Sequence, residues 1–222
     1  MSENGALSVA RLKTPKAAAI AGIAFSLLLF TIIWLLWRSV PSDPLDPGAW
    51  LATDSKTVAL ALNLVPFAGV AFLWFIGVLR DRLGQQEDRF FATVFFGSAL
   101  LFLAMLFAAA AITGAIILVA SSADPNELTN SATFRYARAT GYIFMNVYAI
   151  KMAGVFMIST STVVIYTRIA PRWIAVLGYV LACILLIGSY YINLSFFVLP
   201  LWVFLVSIHI LLDNLRRQQK AV

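Results

Sequence analysis

Histidine and cysteine are almost missing from this chain: His209 and Cys183 are the sole examples among 222 residues. One cysteine closes no intramolecular disulfide. One histidine with scattered carboxylates builds neither a zinc or iron site nor a two-histidine haem. No metal or other cofactor is therefore expected, and Cys183 reads as a small apolar core residue. Charge is scarce too, at 12% of residues against about 25% in a soluble domain. No block of five like charges occurs, and no basic stripe alternates with aromatics, which excludes a nucleic-acid footprint despite a net charge of +6. Glycine-rich phosphate loops and nucleophile motifs are lacking as well, so nothing marks the chain as an enzyme.

What the chain has in abundance is apolar sequence, 62% of its residues. Six long apolar stretches fall at about 17–37, 57–79, 90–120, 134–166, 173–192 and 196–212. Each approaches or exceeds the roughly 20 residues that cross about 30 Å of hydrocarbon. The expected fold is an all-α membrane protein, a bundle of six transmembrane helices forming one domain over residues 1–222. The first stretch is longer than a signal-peptide core of about 7–15 residues and reads as an uncleaved helix.

Lysine and arginine set the expected orientation. Eleven of them flank the side shared by the N-terminus, the 80–89 and 168–172 connectors and the tail. Arg38, Lys56, Arg135 and Arg138 occupy the other side. The positive-inside rule then puts both termini in the cytoplasm.

Local signals refine the connectors. Pro41, Pro44, Pro47 and Gly48 make the first one irregular, with a short helical turn expected within Asp46–Leu51. Ala108–Ala111 and Gly114, like Ala18 and Gly22, suggest small-residue seams for close helix contact. Asn193-Leu194-Ser195 separates the last two stretches so narrowly that a tight antiparallel hairpin is expected. The two halves of the chain show no convincing inverted repeat, which speaks against many transporter folds.

Lys151 is the one chemically unusual residue. It lies midway along the fourth stretch, where a charged lysine costs about 2.5–3.5 kcal/mol. All ten carboxylates sit in connectors or at helix ends, leaving it no partner at its own depth. A candidate ligand site for a lipid-like or small anion combines Lys151 with Tyr148, Asn63 and Asn146; hydrogen bonds to those residues or to backbone carbonyls are the structural alternative. A retinal Schiff base lacks a buried counter-ion. His209 and Asp213 share a helix face and form a candidate proton-handling pair, or meet at the interface. Ser159-Thr160-Ser161-Thr162 reads as hydroxyls bonding carbonyls one turn earlier rather than as a nucleophile. Asp43, Asp46 and Asp54 lack calcium-loop spacing and read as turn and cap residues. Arg135 and Arg138, one turn apart, suit a phosphate, an outer partner or lipid head groups.

The stretches Asn63–Leu83 and Met152–Thr162 resemble a group of uncharacterised bacterial six-span integral membrane proteins. The resemblance implies a bacterial cytoplasmic membrane and brings no activity or site residue with it. The expected function is that of an accessory membrane component binding lipids or other membrane proteins. The alternative is a small transporter or channel for an anionic or protonatable solute that uses Lys151.

Overall fold

A computed structural model describes residues 14–83, 89–122, 125–168, 170–188 and 195–219. Among them the protein is all-helical, and no strand forms. Helix α1 spans Thr14–Ser39, a short α2 Trp50–Thr53, α3 Ser55–Leu83 and α4 Arg89–Ala120. A short α5 (Pro125–Asn130) leads into α6 (Ala132–Ile143), which passes through a π turn, Phe144–Ala149, into α7 (Ile150–Thr167). Helix α8 (Arg172–Cys183) runs into a second π turn, Ile184–Gly188, and a 3₁₀ turn at Ser195–Phe197 opens α9 (Val198–Gln219).

Five helices are long and apolar enough to cross a membrane: Ala19–Ser39, Ser55–Arg80, Thr93–Ala120, Ala132–Tyr166 and Ser195–Arg216. The fifth expected stretch differs. Its described helix, Arg172–Gly188, has 12 residues before the π turn and 5 within it, and at 1.5 Å per residue reaches only about 25 Å. The remainder of that stretch, with Asn193 and Leu194 of the expected turn, lies outside the described residues. Nor do α8 and α9 lie along one another as a close hairpin. Helix α8 packs along α7 and meets α9 at Trp202, whose indole donates to the Ile174 carbonyl at 3.3 Å.

The helices pack antiparallel, with α1 along α3 and α9, and α4 along the α6–α7 rod. One half of the bundle is filled by aromatic rings. Phe72 stands at the centre, with Phe25, Phe102 and Phe156 at ring-centroid distances of 4.5, 5.5 and 5.1 Å. These four rings come from α3, α1, α4 and α7, so each helix is keyed to the others by side-chain shape. Offset and edge-on pairs add about 0.5–1.5 kcal/mol each beyond burial.

Glycines let backbones close up at two places. A Cβ on Gly22 would strike the Ser207 hydroxyl and lie 2.7 Å from the Phe75 ring, which makes Gly22 a point of contact among α1, α3 and α9. A Cβ on Gly178 would strike the Ser161 hydroxyl and lie 2.8 Å from Trp202. Cys183, expected in the core, is exposed. Helix α8 buries Ile174, Ala175, Gly178 and Ala182, and Cys183 falls off that face.

The hydroxyls of Ser159, Thr160 and Thr162 each donate to the carbonyl four residues earlier, at 2.8–3.0 Å. Thr162 also meets the Tyr179 hydroxyl at 2.7 Å. These three hydroxyls therefore serve their own helix and the α7–α8 contact, while the buried Ser161 hydroxyl has no hydrogen-bond partner among the described residues.

Gly178→Ala is expected to lower the melting temperature of the purified protein, as overpacking costs about 1–3 kcal/mol. Gly97, with nothing within 4 Å of an added Cβ, is the control. Gly97→Ala should hold or raise the melting temperature, because alanine is the better helix former by about 1 kcal/mol. Equal responses of the two variants in a thermal unfolding assay would contradict the packing described.

Candidate functional site: a cavity roofed by the first connector

The half of the bundle opposite the aromatic cluster is hollow. A cavity of about 400 Å³ lies between the C-terminal part of α1, the first turns of α3, the second half of α4, and α6. Small side chains make the space: Ala109, Ala110, Thr113, Ala137 and Gly141 all line it, where larger residues would fill it. Ala109 and Ala110 of the α4 alanine run thus face a void, while Ala108 and Ala111 do not line it. A Cβ on Gly114, one turn on, would meet only the Leu62 side chain, at an ordinary 3.8 Å. Ile32, Ile33, Leu36, Leu62, Val65, Leu106 and Ile116 supply apolar walls. Exposed Trp37, Pro41, Ser42, Asp43 and Tyr142 mark the mouth. A smaller void of about 20 Å³ continues toward the core, sharing Ile33, Met145 and Phe196 with the larger one.

The roof is the connector after α1, and the sequence explains why it holds one shape. Asp43 and Asp46 each accept from the backbone N–H two residues on, Leu45 at 2.8 Å and Gly48 at 2.9 Å, so two aspartate turns fold it locally. Gly48 has φ of 86°, a conformation that suits glycine, and a Cβ there would lie 2.5 Å from Phe134. Trp50, Val58, Ile116 and Phe134 form a small second core beneath it. Ser131 caps α6, accepting from the Phe134 N–H at 3.1 Å, and thereby fixes the helix that carries Phe134 and Arg138.

Arg138 ties roof to bundle. It is only 8% exposed. Its Nη2 donates to the Pro41 and Asp43 carbonyls at 3.3 and 3.0 Å, and Nη1 to the Asp46 carbonyl at 3.4 Å. Nη1 also lies 3.5 Å from the Asp46 carboxylate, and the guanidinium stands 5.9 Å from the Trp50 ring centre. A guanidinium always carries charge, and burying it is tolerable only with partners of this number. From sequence, Arg135 and Arg138 alike suit a phosphate, an outer partner or lipid head groups. Arg135 is indeed exposed, donating to the Asn130 carbonyl, but Arg138 is an internal clamp. Asp46 is likewise more than a solvated turn residue.

Of the four residues grouped around Lys151 from sequence, Asn146 alone lines the larger cavity. Its Nδ2 donates to the Tyr142 carbonyl at 3.0 Å. Asn63 is exposed on α3 and donates to the Ala59 carbonyl. Tyr148 is exposed, its ring 6.2 Å from that of Phe144. The half-buried Lys151 donates from Nζ to the Leu186 carbonyl at 2.9 Å, and lines neither cavity. Leu186 belongs to the second π turn, where the backbone ladder changes register and a side chain can insert. An amine held this way joins α7 to α8. His209 and Asp213 lie one turn apart on α9, both half-buried. Among the described residues no group of three histidine, cysteine or acidic side chains could hold a metal ion.

No known protein family, characterised protein or solved structure matches the chain.

Arg138→Ala is expected to lower stability by about 1–3 kcal/mol, since it leaves buried carbonyls and Asp46 without their donor. Arg138→Lys should restore little, because a single ammonium cannot span acceptors arranged for a planar fork. Faster proteolysis within residues 40–49 would report the loosened roof; unchanged cleavage would refute the clamp. Lys151→Met should speed amide exchange in residues 184–188, read by mass spectrometry, while Lys151→Arg should slow it again. Equal protection in all three proteins would refute the α7–α8 tie.

Proposed function

We propose that this is a six-span protein of a bacterial cytoplasmic membrane, both termini in the cytoplasm, that holds one lipid-like amphiphile and carries out no chemistry of its own. The observation that carries this reading is the cavity of about 400 Å³ with apolar walls and a polar rim. Its size falls in the range of about 300–1,000 Å³ typical of small-molecule sites, and its lining follows their pattern of apolar walls with few polar groups. The space suits a slender amphiphile or one chain of a larger lipid.

The setting supports the same reading. Trp34, Trp37 and Tyr136 are exposed at the connector end, and Trp74, Tyr166 and Trp173 toward the other. Exposed aromatics at two levels match the belts found where hydrocarbon meets head groups. The lysine and arginine distribution supports an outer-leaflet position for the cavity, with its roof at the outer surface. The apolar helix Arg172–Gly188 would belong to the fifth of the six spans. In this location an apolar tail enters the bundle from the bilayer and its head stays under the connector. An accessory role follows from the chemistry available: the polar groups at the rim hold and orient, and none is placed as a nucleophile beside a base.

Purification in a mild detergent, followed by native mass spectrometry, is expected to show one amphiphile per chain. Ala110→Phe fills the cavity and should cut the bound fraction at least tenfold without lowering the melting temperature of the delipidated protein. An undiminished bound fraction in that variant would sink the reading.

A further inference from the structure

The cavity has a far end as well as a mouth, and that end sets how long a tail fits. We infer that Met145, with Ile33 and Phe196 beside it, forms the end wall of a tail channel one leaflet deep, so that the site selects single chains of ordinary membrane-lipid length. This inference rests on the proposed amphiphile site and adds its length limit.

The register of the helices gives the channel its direction. On α4 the large cavity is lined from Ile116, beneath the roof, back to Leu106, and the small void by Phe102, one turn further from the roof. On α1 the same step leads from Trp37 through Ile33 to Leu29. On the α6–α7 rod it leads from Tyr142 through Met145 to Ala149 and Ala153. All three place the small void directly beyond the large cavity as seen from the roof. The ten residues from Ile116 to Leu106 span about 15 Å, half of the roughly 30 Å of hydrocarbon in a bilayer.

The far end is closed. Ile33, Met145 and Phe196 border both spaces and so stand between them. Behind them the small void is walled by residues at most 4% exposed, among them Phe102, Leu185 and Leu199. Phe102 is itself held against Phe72, with ring centres 5.5 Å apart. The aromatic cluster therefore stops any chain that passes Met145. Ser195 is the single polar side chain lining this void, so its surface suits hydrocarbon.

Met145 is the part of the wall that can move. It sits in the π turn Phe144–Ala149 and is half-buried. Methionine is unbranched and adapts to irregular space. About 20 Å³ lies free behind it, where Ala149 and Ala153 present little bulk. That exceeds the about 10–15 Å³ a water-sized group needs. A tail that reaches Met145 can displace it by about one such group and no further. The wall thus tolerates a small excess of length and resists more.

The test keeps the head constant and changes the tail. Monoglycerides differing only in their chain, from octanoyl to stearoyl, are supplied at equal mole fraction to the full-length protein in phosphatidylcholine nanodiscs. Bound species are counted by native mass spectrometry. The bound fraction should peak at one chain length and fall about fivefold or more for chains about four carbons longer, since overfilling a packed site is costly. Met145→Ala opens the wall and should move the peak to longer chains. Met145→Phe should move it to shorter ones. Ala153→Leu fills the space behind Met145 and should steepen the fall. A flat profile in the native protein, or a peak unmoved in both Met145 variants, overturns the end wall while leaving the amphiphile site standing. Binding of no monoglyceride of any length overturns both. Should a Met145 variant fail to fold, Ile33→Ala opens the same wall from α1, and an unmoved peak there overturns it equally.

Discussion

A single buried guanidinium determines what one end of this bundle can be. Arg138 reaches from α6 to three carbonyls of the connector after α1 and to the Asp46 carboxylate. Without those contacts a segment holding three prolines and a left-handed glycine would have its two aspartate turns and the packing of Gly48 and Trp50 near Phe134 to define it. With them the connector becomes a fixed roof, and the space beneath it keeps its shape without being packed. Breaking such a pair leaves polar groups stranded, which is why clamps of this kind hold a conformation even when they add little net stability.

The two halves of the bundle solve the packing problem differently. At one end, rings from α1, α3, α4 and α7 interlock around Phe72, and Gly22 and Gly178 bring backbones within reach of neighbouring side chains. At the other, alanines, Thr113 and Gly141 stand where bulk would be needed to close the core. The π turn at Phe144–Ala149 falls between these regimes and carries Met145 and Asn146, both of which line the cavity. Such turns recur at functional sites because they re-aim side chains that a regular helix would point elsewhere.

Much of the architecture could be read from residues alone. The apolar stretches predicted α1, α3, α4, the α6–α7 rod and α9 with ends shifted by a few residues, and the helical turn expected within Asp46–Leu51 forms slightly later, at Trp50–Thr53. The site was far less legible. Arg138 lies one turn from the exposed Arg135, and a pair so spaced looks like surface. Its true partners are backbone atoms 92–97 positions away, which leave no trace in side-chain patterning. The alanine run on α4 showed that something must come close or that space must remain, and spacing cannot choose between these. Lys151 drew attention because its charge is costly at that depth, yet its acceptor is a carbonyl exposed by a π turn, a feature with no sequence signature.

The contrast between a rigid half and a hollow half has a mechanical consequence. Side chains in contact resist compression, whereas a void yields to it. Flexing would therefore concentrate where α1 and α6 face each other across empty volume. Any occupant of that volume would act as a strut, setting the separation of the two helices and passing its presence to the connector that joins them above.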